Sequence, residues 1–228
     1  MTPNPAAEAR RVRRSSSSGR GFRERVSGRM GWQRIARRIR VPTGFVFAAV
    51  FLWLARPSWR TMAASLVLVG PGLWLRGYAS GYLRKNAELT ITGPYAHTRN
   101  PLYLGSMLIA FGFSAAAASW VILGALAALF AAIYLPTIAS EEAYLRGHFA
   151  GFDAYAREVP KLLPRLTAAR PATASGSGPG AFSPALYRKH REYNAVIGAG
   201  AIYMALAFKF MFEQHLSLAG FSKPPWWP

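Results

Sequence analysis

The sequence predicts an all-α protein threaded through a membrane by about five transmembrane helices, each needing about 20 mostly apolar residues. Composition points there first: of 228 residues, 52% are hydrophobic and only 16% charged, where soluble domains carry about 25% charged residues. Charge segregation is the second sign. The chain has 28 Lys and Arg against 9 Asp and Glu, for a net +19. Residues 1–40 alone hold twelve Arg and two Glu. The third is a series of apolar segments with almost no polar face, which an amphipathic soluble helix would have. Whole-chain disorder is excluded by the apolar content. The absence of Cys excludes a disulfide scaffold and any cysteine nucleophile or thiolate metal site.

The elements follow in chain order. Residues 1–40 form a basic arm, spaced by Ser and Gly and ending in Met30–Arg40, where Ile35 and Ile39 share a helical face with Arg on the others. A basic amphipathic stretch leading into an apolar run is a membrane-surface element that meets anionic headgroups, which is favoured here over nucleic acid. Val41–Ala55 and Thr61–Leu75 are short apolar runs broken by Arg56-Pro57-Ser58-Trp59-Arg60, and they form a tight helical hairpin. A polar, turn-rich stretch covers Arg76–Arg99. Leu102–Ala118 and Ser119–Ala139 make a second, clearer hairpin, with Ser114 and Ser119 at its reversal. Residues 140–165 are mixed and helical. Thr167–Pro184, rich in Gly, Pro, Ala and Ser, is a flexible linker. A last apolar helix spans about Asn194–Phe212, with Lys209 near one end as a snorkelling cation. The domain plan is thus an arm (1–40), a membrane core (41–165), a linker (166–185) and a C-terminal transmembrane helix (186–228).

Basic residues concentrate in 1–40, 76–100 and 140–193, which the positive-inside rule makes cytoplasmic. The two polar inter-helix segments therefore share one side, where a site would be built. One is Gly93-Pro94-Tyr95-Ala96-His97-Thr98-Arg99-Asn100-Pro101-Leu102-Tyr103-Leu104-Gly105, with Pro101 suited to the first turn of a helix. The other is Glu141-Glu142-Ala143-Tyr144-Leu145-Arg146-Gly147-His148-Phe149. A short hairpin brings Arg99 and Glu142 within reach of each other at the membrane boundary. Plainer roles are also open: a surface pair of Glu142 with Arg146 four residues on, and an anchor of Arg99, Tyr95 and Tyr103 in an interfacial belt. Gly176-x-Gly178 lies in the linker and Gly198-x-Gly200 in an apolar helix, so neither follows a strand as a dinucleotide fingerprint must, and no Rossmann domain is expected.

Gly93-Pro94-Tyr95, then Arg99-Asn100-Pro101-x-Tyr103-x-Gly105, then Glu141-Glu142 with Leu145, resembles the isoprenylcysteine carboxyl methyltransferase and phospholipid methyltransferase superfamily. The resemblance covers roughly 41–165 and continues into an aromatic tail of Phe149, Phe152, Tyr155, Val159-Pro160-Lys161 and Pro164. Asn100 stands where the family usually has His, Ala150 where it has Gly, and Lys161 where it has Arg. The resemblance implies an integral membrane enzyme that uses S-adenosylmethionine and no metal. Its cofactor pocket would comprise Tyr95, Arg99, Asn100, Pro101, Tyr103, Gly105, Glu141 and Glu142. Glu142 would hold the cofactor's ammonium and Arg99 a carboxylate, while Tyr95, Pro101 and Tyr103 wall the adenosine. The acceptor would be a lipophilic molecule entering from the bilayer. A prenylated cysteine carboxylate is favoured, with a phospholipid amine or a small thiol as alternatives. A nicotinamide-dependent membrane reductase and a non-catalytic membrane protein of the same fold are the rival classes. Ala- and Arg-rich, Lys-poor usage suggests a bacterial inner membrane, with the N-terminus cytoplasmic.

Overall fold

The computed structural model describes residues 45–84, 88–169 and 180–219. The basic arm 1–40, the middle of the expected linker and the Pro-Pro-Trp-Trp-Pro terminus lie outside the described residues. The chain divides into two compact units, one ending at Val50 and the other running from Phe51. In the first, the described residues 45–50 are the opening turns of α1 (Phe45–Leu54).

In the second unit Ser58 caps α2 (Trp59–Ser80), its hydroxyl accepting from the Thr61 amide at 3.1 Å while the Thr61 side chain accepts from the Ser58 amide at 3.0 Å. This reciprocal cap is why the break at Arg56–Arg60 starts a helix instead of a loop. The Thr61 hydroxyl also donates to the Ala116 carbonyl, and the Arg56 amide to that of Ala117, which ties the start of α2 to the end of α3 (Pro101–Ala117). The chain then reverses through Ala118, which adopts the left-handed conformation (φ 47°), and Ser119, which caps α4 (Trp120–Leu129). Ser114, expected at the reversal, is buried within α3.

A single 29-residue helix, Trp120–His148, replaces the expected boundary near Ala139. It comprises α4, a π-helical turn (Phe130–Tyr134) and α5 (Leu135–His148). Pro136 has no N–H to give to the carbonyl four residues back, so the ladder is already broken where the wide turn lies. Then come α6 (Phe152–Glu158), α7 (Pro184–His190) and α8 (Tyr193–Leu218). All regular structure among the described residues is helical. The described ends of the expected linker are pinned, the Ala169 amide donating to the Ala96 carbonyl and the Ser183 amide to that of Gly81.

α2 and α3 form the closest helix pair, and glycine makes it possible. A Cβ on Gly72 would meet the Gly105 carbonyl oxygen at 2.9 Å, and one on Gly105 would meet that of Gly72 at 2.8 Å. Gly112 would strike Val69 in the same way. Small residues that admit close backbone approach are the usual means of joining helices in lipid, where apolar side chains gain nothing by leaving one apolar phase for another.

Among the described residues two helices, Trp120–His148 and Tyr193–Leu218, are long and apolar enough to cross a membrane. Only 11% of each apolar window is buried inside the protein, so they are not the core helices of a soluble domain. Trp74, Trp120, Val67, Met204 and Phe208 stand exposed on the same body, an apolar surface that water would not tolerate at this extent. The protein is membrane-associated. The other expected spans fall short for distinct reasons. Pro101–Ala117 and Phe45–Leu54 are apolar but rise only about 26 and 15 Å, at about 1.5 Å per residue. Helix α2 is long enough at 22 residues but carries Arg60 and Arg76 near its two ends. Lys209 does more than snorkel: its ammonium donates to the carbonyls of Leu52 (2.6 Å), Trp53 (3.1 Å) and Ala55 (2.6 Å), with Glu213 at 3.5 Å. It thus satisfies orphan acceptors at the end of α1, as a cation near a helix C-terminus does.

Candidate active site

The loop 93–100 is shaped by local chemistry. Gly93 takes φ +60° against the Tyr82 ring, which a Cβ would meet at 2.6 Å, so both conformation and space require glycine. Pro94-Tyr95-Ala96 closes a 3₁₀ turn, and Pro101 opens α3. The tail 152–169 then wraps this loop through backbone groups. The Arg99 amide donates to the Pro160 carbonyl (2.9 Å), and the Arg165 amide to that of His97 (3.0 Å). The Thr98 hydroxyl donates to the Leu162 carbonyl (3.0 Å) and the Tyr155 hydroxyl to that of Tyr95 (2.7 Å). Phe152, Tyr155, Val159 and Ala169 form the small core beneath these bonds.

Loop, tail and the ends of α2, α3 and α5 enclose a cavity of about 470 Å³, within the range of small-molecule sites. Seven of the eight residues expected to bind cofactor line it: Tyr95, Arg99, Asn100, Pro101, Tyr103, Glu141 and Glu142. Gly105 does not. It is buried in the α2–α3 contact, where its missing side chain makes room for Arg76, so its place in the motif is a packing requirement. Asn100 reaches the cavity, but its amide nitrogen is committed to the Lys161 carbonyl at 2.9 Å and holds the tail down.

Arg99 and Glu142 come together as the hairpin implied. The guanidinium lies 3.4 Å from one carboxylate oxygen, and the Lys161 ammonium 3.0 Å from the other. Arg146 does not pair with Glu142. It binds Asp153 at 2.8 Å and stacks over Phe152, which leaves Glu142 to the cavity. The Arg99 and Glu142 side chains are only 13% and 10% exposed. Even so, Arg99 Nε, Glu142 Oε1 and the Tyr95 hydroxyl have no hydrogen-bond partner. Orphaned buried polar atoms are rare and costly, and the three residues that carry them all contribute to the wall of one cavity.

Sequence reasoning missed Arg76, Ser106, Tyr134, Tyr155 and Glu192, all of which line the cavity. Tyr134 meets Tyr103 edge to face at 5.5 Å, delivered there by the π turn. Arg76 sits in the part of α2 read as a loop, and Glu192 beyond the expected linker. Only the helical register of 59–80 could have flagged the first, and nothing local flags the second.

Residues 59–151 match the phospholipid methyltransferase family, within the integral membrane methyltransferase superfamily. The segment holds the glycine-packed helix pair, Arg99 and both glutamates of the Glu-Glu motif. Among curated relatives, the chain is 41% identical over 95 residues to the nickel-cobalt-cadmium resistance protein NccN of Alcaligenes xylosoxydans xylosoxydans, covering 42% of this chain and 44% of that one. It is 39% identical over 106 residues to the cobalt-zinc-cadmium resistance protein CzcN of Cupriavidus metallidurans, covering 46% and 48%. The matches thus span about half the length of these relatives. No solved structure matches. Among the described residues no group of three or more His, Asp and Glu side chains converges to hold a metal ion.

Burial holds the Tyr95 and Tyr155 phenols well above their ordinary value of 10.0, with nearby groups as smaller influences. Between the ordinary value and the raised one, the unfolded chain has released protons that the folded chain keeps. Stability is therefore fully present below about pH 10 and falls above it, by about 1.4 kcal/mol per pH unit for each tyrosine. Unfolding followed from pH 9 to 11 should show this loss, and Tyr155→Phe should make its slope shallower, with Tyr95, Tyr103 and Tyr82, whose phenols are also raised, supplying the remainder. An unchanged slope would mean that the phenol is not protected.

Proposed function

We propose that this protein transfers a methyl group from S-adenosylmethionine to a lipophilic, amine-bearing acceptor at the cytoplasmic face of a bacterial inner membrane. The observation that carries the reading is one cavity within the family-matched segment, lined by Tyr95, Arg99 and Glu142, whose Tyr95 hydroxyl, Arg99 Nε and Glu142 Oε1 make no hydrogen bond in the folded chain. They suit a small zwitterion. The Glu142 carboxylate would take its ammonium, Arg99 Nε its carboxylate, and the rings of Tyr95 and Tyr103 its aromatic part.

When bound, S-adenosylmethionine supplies an electrophilic methyl group on a sulfonium. The chain's own contribution is positioning in a dry pocket, which can supply several kcal/mol of a barrier. Leu102, Leu145, Phe149 and Phe152 form the apolar part of the wall. Glu141 faces the cavity beside the Tyr103 hydroxyl, where its carboxylate can hold an ammonium or accept the proton that an amine gives up on methylation.

The acceptor class follows from charge. Each of the three arginines lining the cavity has a glutamate opposite: Arg76 with Glu192, Arg84 with Glu88, and Arg99 with Glu142. Glu141 has no basic partner at ion-pair distance among the described residues. Four of the chain's nine acidic residues line this one cavity in a protein of net charge +19. That pattern favours an amine over the prenylcysteine carboxylate that an uncommitted Arg99 would favour.

The test is S-adenosylmethionine binding by the detergent-purified protein, with NADPH as competitor. Saturable binding that is reduced at least tenfold in Arg99→Ala, a loss of about 1.4 kcal/mol, is the expected result. A folded protein that binds NADPH and not S-adenosylmethionine would replace this reading with a reductase.

A further inference from the structure

The segment 180–193 lies beyond the family-matched residues, yet it supplies one residue of the cavity lining, Glu192. It is strapped to the end of α2 by complementary shapes. Phe182 occupies the space a Cβ on Gly81 would need, the Tyr187 ring lies 3.3 Å from where one on Gly77 would stand, and Thr92 fills the corresponding space at Gly180. The Ser183 amide donates to the Gly81 carbonyl at 2.9 Å, and His190 Nδ1 meets that of Ser80 at 3.0 Å. The strap sets Glu192 at the mouth of α8, facing back into the cavity.

There Glu192 takes one edge of the Arg76 guanidinium: Nε donates to Oε2 at 3.0 Å and Nη2 to Oε1 at 3.0 Å. The third nitrogen, Nη1, donates to the Ser106 hydroxyl. Side-chain exposure of 26% and 12% puts this pair in the protein and not on its surface, where such pairs count for little. Ser106 lies six residues into α3 from Asn100, about 9 Å further along the helix axis. The cavity therefore has two polar ends: Arg99 and Glu142 beneath the loop, and Arg76, Glu192 and Ser106 deeper, where an acceptor arriving from the bilayer would present its head.

We propose that Glu192 determines acceptor specificity: by occupying Arg76 in a two-pronged ion pair, it turns the deep end of the cavity from an anion-binding site into a neutral one and so selects against acidic acceptors. An unopposed, half-buried guanidinium beside a hydroxyl would bind carboxylates and phosphates. Three of its five N–H groups are already given, those of Nε and Nη2 to Glu192 and one of Nη1 to Ser106, and the Glu192 carboxylate cancels the charge that would draw an anion. Selection by excluding the wrong partner needs no contact with the right one.

This inference rests on the methyltransferase reading, and the experiment separates the two. Lauric acid and dodecylamine, matched in chain and opposite in head charge, are titrated into the full-length protein in detergent. S-adenosylmethionine binding by the wild type is measured in parallel. Glu192→Gln is expected to bind laurate about tenfold more tightly than wild type, the gain of one charge-assisted bidentate contact, and dodecylamine no better. Arg76→Gln combined with Glu192→Gln should abolish that gain, because the freed guanidinium is its source. A purely structural role for Glu192 would weaken both amphiphiles instead. Should Glu192→Gln not fold, Glu192→Asp, which keeps the charge but shortens its reach, is expected to give a smaller gain of the same sign. No gain in either folded variant, or an equal gain in the double variant, overturns the proposal while leaving the methyltransferase reading in place. Failure of the wild type to bind S-adenosylmethionine removes that reading instead.

Discussion

Glu142→Gln is expected to weaken S-adenosylmethionine binding by about a hundredfold, the ~3 kcal/mol that loss of one member of a desolvated charge pair costs. The substitution keeps shape and volume, so the loss reports charge. In the folded protein Glu142 stands between two cations, Arg99 at 3.4 Å and Lys161 at 3.0 Å. Neutralising it leaves the largely buried guanidinium and the half-exposed ammonium without the negative charge between them. Any ligand ammonium brought there would add a third positive charge. Circular dichroism and titration on the same sample separate lost binding from lost fold. A helical Glu142→Gln protein with wild-type affinity would sink the assigned role. The result also discriminates within the motif, since Glu141 is exposed on the cavity wall and makes no ion pair among the described residues. Its glutamine variant should spare the cofactor more than the acceptor.

The second large effect is expected far from any ligand. Gly105→Val should destabilise the protein by about 3 kcal/mol, the upper range for forcing volume into a packed contact. Its Cβ would stand 2.7 Å from Arg76 Cγ and 2.8 Å from the Gly72 carbonyl oxygen, and the backbone oxygen cannot move without moving α2. Parting the helices also displaces Arg76 from Ser106 and Glu192, so the acceptor end of the cavity would be disturbed along with the fold. Thermal unfolding in detergent measures this. Gly124→Val is the comparison, because a Cβ there meets nothing within 4 Å. Equal melting temperatures for the two variants would mean that α2 and α3 tolerate separation.

These two residues show what a linear reading reaches. Glu142 and Arg99 were legible because a motif sits at each end of one hairpin, and a hairpin has only one way to bring its ends together. Gly105 belongs to the same motif and was therefore assigned to the ligand, whereas its partner is a glycine 33 residues earlier on another helix. The exposed apolar helices were legible from composition, since an apolar run that is not amphipathic has little choice of environment. The five-span count was less secure, because a helix shortened at both ends by turn residues and one that carries arginines look alike when averaged over a window. Glu192 was invisible for a different reason. Its importance comes from a strap whose fit depends on rings meeting glycines, Phe182 on Gly81 and Tyr187 on Gly77, and neither half of such a contact announces itself alone.

The wide turn at Phe130–Tyr134 has a consequence for angle and not only for length. One residue added to a helical turn offsets everything after it by about 100° relative to an unbroken α-helix. The 29-residue helix is therefore two compasses on one shaft. In its first half, bearings are set by the surrounding hydrocarbon and the neighbouring helices. In its second half, they are set so that Tyr134, Glu141 and Glu142 all point at the cavity. A chain lacking that extra residue would be shorter by one and almost unchanged in hydropathy, yet would turn its two glutamates away from the site.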